Sequence, residues 1–354
     1  MPNRTVKPKR TTPKQKEGFD PALCDIRQGS CIDILPRLPD ESVHLVLTDP
    51  PYFLDGLDAD WKKGVRGKQG TGSVGGLPVG MKFDTEQGKR LQAFLEPVFE
   101  QLFRILKPGG FMLVFSAPRL YHRMAIAAED CRFEIRDQYI WQFTQRAQFK
   151  AFGMAHFLEK RTDIPDKERK RLAKEMDGRK TPQLRPQFES ILCAQKPRQG
   201  TFLDNWRRHQ TGLIDSKQSL TGNVPATVMT VEKPTKDRYN RHLTPKPVKI
   251  CEHLIQVFSC EGQTILDPFL GSGTTCLAAQ RTNRHGIGIE INPDYIAIAE
   301  KRLGIERSGI DRIVYEESAE TIKERVSKDN IAIGIPVVSS DKDDSRSGYF
   351  RDTA

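Results

Sequence analysis

The feature that most constrains the fold of this chain is a glycine turn between a short apolar segment and a helix. Thr264-Ile265-Leu266 is predicted to be a buried strand, and Gly271-Ser272-Gly273 then opens a helix that runs to about Arg281. The next predicted strand, Ile287 to Ile291, carries an acid, Glu290, near its end. Strand, glycine turn, helix and strand predict one unit of a parallel sheet, with a ligand over the carboxyl edge of that sheet.

The residues of the turn narrow the choice of ligand. A dinucleotide fingerprint needs a third glycine where this chain has Cys276, and a P-loop needs a lysine after Gly273, where this chain has Thr274. An adenosyl ligand without phosphates remains, and S-adenosylmethionine fits that description. The glycines would let the backbone approach this ligand, and Glu290 would accept hydrogen bonds from its ribose. A tight turn without a ligand is the alternative.

A second motif, Asp49-Pro50-Pro51-Tyr52, follows an apolar run, Val43 to Leu47, that predicts another buried strand. Two prolines end the strand ladder and remove amide donors, so the Asp49 carboxylate and the Pro50 carbonyl stand together as acceptors. This pair could receive both hydrogens of an exocyclic amine and aim its lone pair at an activated methyl group, while Tyr52 stacks on the base. Positioning then supplies much of the rate, without a metal or a nucleophilic cysteine. A turn that merely ends the strand is the alternative.

The segments between the motifs continue the alternation of strand and helix, with one interruption. Apolar spacing predicts helices over 91–106, 120–128 and 248–258, and strands over 111–115 and 136–143. Lys107-Pro108-Gly109-Gly110 is predicted to stop the first of these helices, and Asn292-Pro293 to cap and start a further one. Residues 145–245 are polar, basic and rich in turns, and they predict an insertion that meets the ligand, with some core strand at about 190–194.

Charge favours a polyanionic partner. The formal net charge is +10, and residues 1–17 carry six basic side chains against one acidic side chain. This arm is either a solvated tail or an extra contact to phosphates. Residues 64–80 contain seven glycines, and their place after the second motif favours a mobile lid over a surface linker.

The cysteines and the hydropathy exclude several other classes. None of the seven cysteines forms a C-x-x-C pair, so neither a zinc site nor a disulfide framework is expected, and a reducing cytosolic setting fits. No apolar run reaches 18 residues and the N-terminus lacks a secretory signal, so no membrane partner is expected.

Together, the two motifs resemble the β class of DNA amino-methyltransferases, in which D/S-P-P-Y precedes D-P-F-x-G-S-G-T and a target-recognition region lies between them. The resemblance covers about residues 25–304 and includes Thr244-Pro245-Lys246-Pro247, which is similar to the T-x-K-P element that encloses the methionine end of the cofactor. Where the family often has Gly-Asp, this chain has Gly29-Ser30-Cys31, so a hydroxyl replaces the carboxylate that would contact adenine. The resemblance assigns the catalytic role to Asp49, Pro50, Pro51 and Tyr52, and cofactor binding to Ser30, Cys31, Asp49, Lys246, Asp267, Pro268, Phe269, Gly271, Ser272, Gly273, Thr274, Thr275 and Glu290.

The resemblance also implies an α/β architecture: a Rossmann-like, S-adenosylmethionine-dependent methyltransferase fold with a mostly parallel sheet, helices on both faces and a permuted motif order. The implied divisions are a basic flexible arm (1–24), a catalytic half (25–144), a target-recognition insertion (145–245), a cofactor-binding half (246–304) and a partly disordered extension (305–354). The implied reaction moves a methyl group from S-adenosylmethionine to N6 of a flipped adenine in double-stranded DNA, in a prokaryotic cytoplasm beside the nucleoid. No metal is implied. A homodimer is implied by resemblance only, and a cognate restriction enzyme cannot be deduced.

Three other functions stay open. The first is methylation of cytosine N4 or of RNA, although Asp at the first motif position favours adenine, since Ser is commoner in the cytosine enzymes. The second is methylation of protein glutamine, which is disfavoured because those enzymes carry N-P-P-Y after the glycine turn. The third is a catalytically silent DNA-binding protein of the same fold, which the two intact motifs argue against.

Overall fold

A computed structural model of the chain describes residues 23–52, 73–74, 77–78, 86–143, 151, 153–159, 161–182, 184–220, 222, 224–233 and 246–305. All of them belong to one compact unit.

Eight strands form the central sheet in the order β1-β10-β9-β2-β5-β7-β6-β8. All neighbouring pairs run parallel except those that involve β7, which is antiparallel to both β5 and β6. The strands are β1 (Cys24–Gln28), β2 (Val43–Thr48), β5 (Leu106–Ser116), β6 (Glu134–Gln142), β7 (Phe188–Gln195), β8 (Val228–Thr230), β9 (Thr264–Asp267) and β10 (His285–Glu290), and a separate two-stranded sheet pairs β3 (Ser73–Val74) with β4 (Leu77–Pro78).

Helices cover both faces of the sheet. Successive residues of β2 point to opposite sides. Val46 packs in one buried cluster with the helices Gln87–Ile105 and Tyr121–Asp130, whereas Leu45 and Leu47 pack in another cluster with the helices Val248–Phe258 and Thr274–Arg281. Strands buried on both faces are typical of parallel sheets covered by crossover helices. The helices are α1 (Cys31–Ile34), α2 (Gln87–Ile105), α3 (Tyr121–Asp130), α4 (Met154–Glu159), α5 (Asp166–Glu175), α6 (Phe202–His209), α7 (Val248–Phe258), α8 (Thr274–Arg281) and α9 (Pro293–Leu303).

The predicted elements are present, with shifted ends. The helix expected over 91–106 begins four residues earlier, and the one expected over 248–258 has those ends. The predicted cap of α9 is confirmed, because the Asn292 side chain accepts from the amide of Asp294 at 2.9 Å and Pro293 stands at the first position. Residues 107–110 do not form a free turn, since β5 begins at Leu106. They form a bulge against β2, closed on the other side by a 3.0 Å bond from the Gly109 amide to the carbonyl of Lys196.

The first part of the insertion predicted over 145–245 leaves the sheet and returns to it. Gln142 at the end of β6 pairs with Phe188 at the start of β7, and the amide of Phe143 donates to the carbonyl of Gln187 at 2.8 Å. Residues 143–187 therefore leave and rejoin the sheet at adjacent, hydrogen-bonded positions. Two strands of the sheet, β7 and β8, come from within 145–245, which is one more than the sequence indicated.

Several predictions fall on residues outside the description. The arm is described only from residue 23, and of the glycine-rich loop only β3 and β4 are described. The extension beyond residue 305 also lies outside it. Within the described ranges, the helices are too short or too polar to cross a bilayer.

Candidate active site

The two sequence motifs meet at the ends of neighbouring strands. Strand β2 pairs with β9 in the middle of the sheet, so Asp49 and Asp267 emerge side by side at the carboxyl edge, where α/β proteins bind ligands. A buried hydrogen bond of 2.7 Å runs from Thr48 Oγ1 to Asp267 Oδ1 and joins the motifs directly. The permuted chain order therefore does not separate the two halves of the site in space.

A cavity of about 520 Å³ opens at this edge, a volume typical of small-molecule sites. At its floor, Glu290 accepts hydrogen bonds of 2.8 Å from the amides of Gly271 and Asn292, one on each carboxylate oxygen. These bonds fix the carboxylate and leave lone pairs on both oxygens for a ligand. The lining includes Ser30, Cys31, Asp49, Pro51, Phe94, Phe115, Lys246, Asp267, Pro268, Phe269, Gly271, Ser272, Thr274, Thr275, Glu290 and Tyr295.

The charges around the cavity suit a cationic ligand. Asp49, Asp267 and Glu290 line it against a single cation, Lys246, among the described residues. Burial raises the pKa of Asp267 to about 6, although hydrogen bonds from Thr48 and Thr275 oppose that rise. Burial also raises the pKa of Glu290, against three backbone hydrogen bonds. A positively charged group in the cavity would relieve the cost of these buried carboxylates, so the residues fit a sulfonium cofactor.

The carboxylate of Asp49 is held at both oxygens. The Tyr52 hydroxyl donates to Oδ1, and the Lys246 ammonium donates to Oδ2. The ammonium also lies 3.3 Å from Oε2 of Glu189, at the start of β7. Burial by itself would lower the pKa of Lys246, but Asp49 and Glu189 outweigh it and raise the pKa above its ordinary value, so the side chain stays charged.

The side chain of Tyr52 is partly buried, and its stacking on a base stays a prediction. The ring packs against the core cluster that includes α2, and the backbone carbonyl of Tyr52 accepts from Gln87 Nε2 at 2.9 Å. Burial, with the neighbouring charges of Asp49 and Glu189, raises the pKa of its hydroxyl. The hydroxyl therefore remains a proton donor to Asp49, a role that the sequence did not reveal.

Three of the predicted site residues lie outside the cavity lining: Pro50, Tyr52 and Gly273. Gly273 corrects an expectation about the turn. Its φ of +81° is the conformation that favours glycine, and a β-carbon there would come within 2.8 Å of the Ala299 β-carbon on α9. The residue is thus required for the turn to form and for α9 to pack close to it, and a side chain at Gly273 would not occupy the ligand's space.

The structure adds residues that the sequence did not single out. Glu189 borders the predicted core strand, but only the antiparallel direction of β7 brings it to the catalytic edge. Arg302 of α9 donates to the carbonyl of Ser272 and, at 3.1 Å, to the hydroxyls of Ser272 and Thr274, which fastens the glycine turn to the next helix. Helical periodicity places Arg302 in the last turn of α9 but does not indicate which loop it reaches.

Known proteins share this sequence pattern and fold. The N6/N4 methyltransferase family model, described as DNA methylase, matches residues 43–301. The chain is 30% identical over 306 residues to the type II methyltransferase M.HindIII of Haemophilus influenzae, covering 80% of this chain and 96% of that protein. It is 28% identical over 290 residues to the type II methyltransferase M.HpaI of Haemophilus parainfluenzae, covering 80% and 76%.

A solved structure agrees on the fold. The PvuII DNA methyltransferase (cytosine-N4-specific) has a TM-score of 0.52 at 17% identity, over 86% of this chain and 92% of that one. The chain therefore has the Rossmann-like methyltransferase fold that the motifs predicted. With both motifs at one cavity and a family match across more than two thirds of its length, this chain belongs to the N6/N4 DNA methylase family.

Proposed function

We propose that this DNA methyltransferase transfers a methyl group from S-adenosylmethionine to the N6 amine of an adenine flipped out of double-stranded DNA. The observation that carries the proposal is that Asp49, the glycine turn and Glu290 line the same cavity. A methyl donor on the turn and an amine at Asp49 would be neighbours there.

The residues that would hold the cofactor divide by chemistry. Glu290 offers carboxylate lone pairs to ribose hydroxyls, and the backbone of 267–271 together with Phe269 forms the wall beside it. Ser30 stands where the family often has an acid, and its hydroxyl caps α1 by accepting from the Ile32 amide at 3.3 Å. When bound, the sulfonium supplies an activated methyl group for displacement by nitrogen.

Asp49 is proposed to orient the target amine. An ionised carboxylate has about four acceptor positions, and Tyr52 and Lys246 occupy two of those of Asp49. The remaining positions can accept an amine hydrogen, and the Pro50 carbonyl can accept the other. Asp49 is also proposed to take the proton that nitrogen must lose once the nitrogen–carbon bond has formed and the sulfur–carbon bond has broken.

Adenine is favoured by the aspartate at the first position of the D-P-P-Y motif, because the resembling cytosine enzymes more often have serine there. The basic insertion and arm are proposed to contact phosphates, and such contacts make binding fall steeply with salt. Extrusion of the base costs a few kcal/mol, which contacts to aromatic side chains can partly offset.

The test is a methylation assay with duplex DNA and isotopically labelled S-adenosylmethionine, followed by digestion to nucleosides and mass spectrometry. Labelled N6-methyladenine is the expected product, and Asp49→Ala should give none under the same conditions. If labelled N4-methylcytosine is found instead, the target is the N4 amine of cytosine and not the N6 amine of adenine. Absence of label in both bases, from folded protein that binds DNA, would leave a silent DNA-binding protein of this fold.

A further inference from the structure

Lys246 lies between two carboxylates at the catalytic edge. Its side chain is only 9% exposed, and its ammonium pairs with Asp49 Oδ2 and, at 3.3 Å, with Glu189 Oε2. That Glu189 oxygen is shielded from solvent and has no hydrogen bond of good geometry within the described part of the chain. The ion pair with Lys246 is therefore the interaction that compensates this oxygen, whereas Oε1 of Glu189 lies 3.8 Å from Lys233 Nζ.

Three separate segments fix the position of this ammonium. Asp49 follows β2, Glu189 is the second residue of β7, and Lys246 precedes α7, while the ring of Phe115 at the end of β5 lies 5.2 Å below the ammonium. An ammonium has three donors, and this one is paired with two carboxylates of the protein. The family resemblance places this lysine at the methionine end of the cofactor, but its contacts are with the carboxylate at the other side of the reaction.

We infer that Lys246 is a positioning residue for methyl transfer: it holds the Asp49 carboxylate in the orientation that receives the target amine, and Glu189 anchors it there. This inference rests on the proposed role of Asp49. The Tyr52 hydroxyl fixes one oxygen of Asp49 and Lys246 fixes the other, so the plane of the carboxylate is set before a base arrives. Preorganised acceptors of this kind need no rearrangement during the reaction.

Glu189 has a separate part in this arrangement. Lysine has a flexible stem of four carbons, and one carboxylate partner would leave its ammonium free to follow Asp49 as that side chain turns. The second carboxylate on β7, a strand paired along its length with β5 and β6, ties the ammonium to the sheet. Loss of Glu189 should therefore weaken the hold on Asp49 without removing the positive charge.

The experiment compares Lys246→Met, Glu189→Gln and the double variant with wild type. Three quantities are measured for each: affinity for S-adenosylmethionine by calorimetry, affinity for duplex DNA by fluorescence anisotropy, and the single-turnover rate at saturating cofactor and DNA. Lys249→Met is the matched control, because Lys249 is an exposed residue in the first turn of α7. Thermal unfolding of each variant reports whether it is folded.

We expect Lys246→Met to lower the single-turnover rate by roughly ten- to a hundredfold, the range for losing a hydrogen bond to a charged group. The affinity for DNA should stay unchanged, and the affinity for the cationic cofactor should not fall, because the cavity loses a positive charge. Glu189→Gln should give a smaller loss, and the double variant should be no slower than Lys246→Met. Lys249→Met should match wild type. If Lys246→Met does not fold because Oε2 of Glu189 loses its ion pair, the double variant measured against Glu189→Gln carries the same test.

Other outcomes would overturn the inference. Weaker cofactor affinity with an unchanged rate at saturation would make Lys246 a cofactor ligand. An unchanged rate in Lys246→Met, together with a double variant as fast as Glu189→Gln, would show that Lys246 does not position Asp49. Additive losses in the double variant would refute Glu189 as the anchor. The proposed function fails separately, since wild type would then give no methylated base.

Discussion

Replacing Asp267 with asparagine is expected to stabilise the protein in the absence of ligand. Asp267 is 3% exposed, and its burial raises the pKa of the carboxyl from 3.8 to about 6. Each pH unit of such a difference is worth about 1.4 kcal/mol, so ionised Asp267 costs on the order of 3 kcal/mol of unfolding free energy at neutral pH. Asparagine removes this charge and keeps an oxygen that can accept from Thr48 Oγ1 and the Phe269 amide, as Oδ1 does now.

The expected stabilisation depends on pH in a defined direction. The folded state holds the Asp267 proton more tightly than the unfolded state, so this group lowers stability as pH rises from about 4 through about 6. Above that range the cost is constant, and below it the cost is absent. The advantage of Asp267→Asn should therefore be largest at pH 7 to 8 and should vanish near pH 4.

Urea denaturation followed by tryptophan fluorescence, at several values between pH 4 and pH 8, measures both proteins. The difference between the two curves isolates Asp267, because every other titrating group is common to both. Equal stability at pH 8 would refute the argument, and so would a gap of the same size at pH 4 and pH 8. Asp267→Asn should also bind the cationic cofactor more weakly, as measured by calorimetry. Asp267 has no ion-pair partner among the described residues, whereas Asp49 is paired with Lys246, so the negative charge of Asp267 is not offset within the cavity.

Other predictions concern the two motifs. Asp49→Ala should lower the single-turnover rate by at least about a hundredfold and leave cofactor affinity in calorimetry nearly intact, because the carboxylate faces the amine; wild-type turnover would contradict this. Tyr52→Phe keeps the ring but removes the bond to Asp49, so the rate should fall about tenfold, whereas a purely stacking role leaves it unchanged. Gly273→Ala should lower the urea midpoint more than the control Gly304→Ala, since both positions have positive φ but only the first meets a neighbouring helix; equal shifts would contradict this. Arg302→Gln loosens the glycine turn, so the KM for S-adenosylmethionine should rise with kcat retained, and a fall in kcat alone would count against it.

The backbone of the site was predictable from local sequence. Two prolines after Val43 to Leu47 and a glycine turn after Thr264 to Leu266 each mark the carboxyl end of a buried strand, and the structure places those ends side by side. These signals work because proline and glycine act on the backbone within one or two residues. The helix over 248–258 was predictable for a similar reason, because its apolar periodicity is continuous.

The directions of side chains were not predictable in the same way. Lys246 lies 25 residues before the glycine turn in sequence, yet its ammonium reaches Asp49, nearly two hundred residues away. Glu189 enters the site only because β7 runs antiparallel, and nothing in residues 188–195 indicates that direction. The bulge at 107–110 has the composition of a turn, but Gly109 pairs with Lys196 of a distant segment. Each of these depends on which strands become neighbours, which is a property of the whole sheet.

Residues 143–187 leave and rejoin the sheet at adjacent positions, and this affects which parts of the sequence can vary without disturbing the catalytic core. Since Gln142 and Phe188 are already paired, the length and sequence of the chain between them affect the catalytic core mainly through the entropy of closing a loop. That entropy grows slowly, by about 0.6 kcal/mol for each doubling of loop length. The strands that carry Glu189 and support Asp49 need not move when this segment is replaced. The catalytic core and the segment between residues 143 and 187 can therefore change independently in sequence. Segments from relatives could be grafted there while the cavity stays intact.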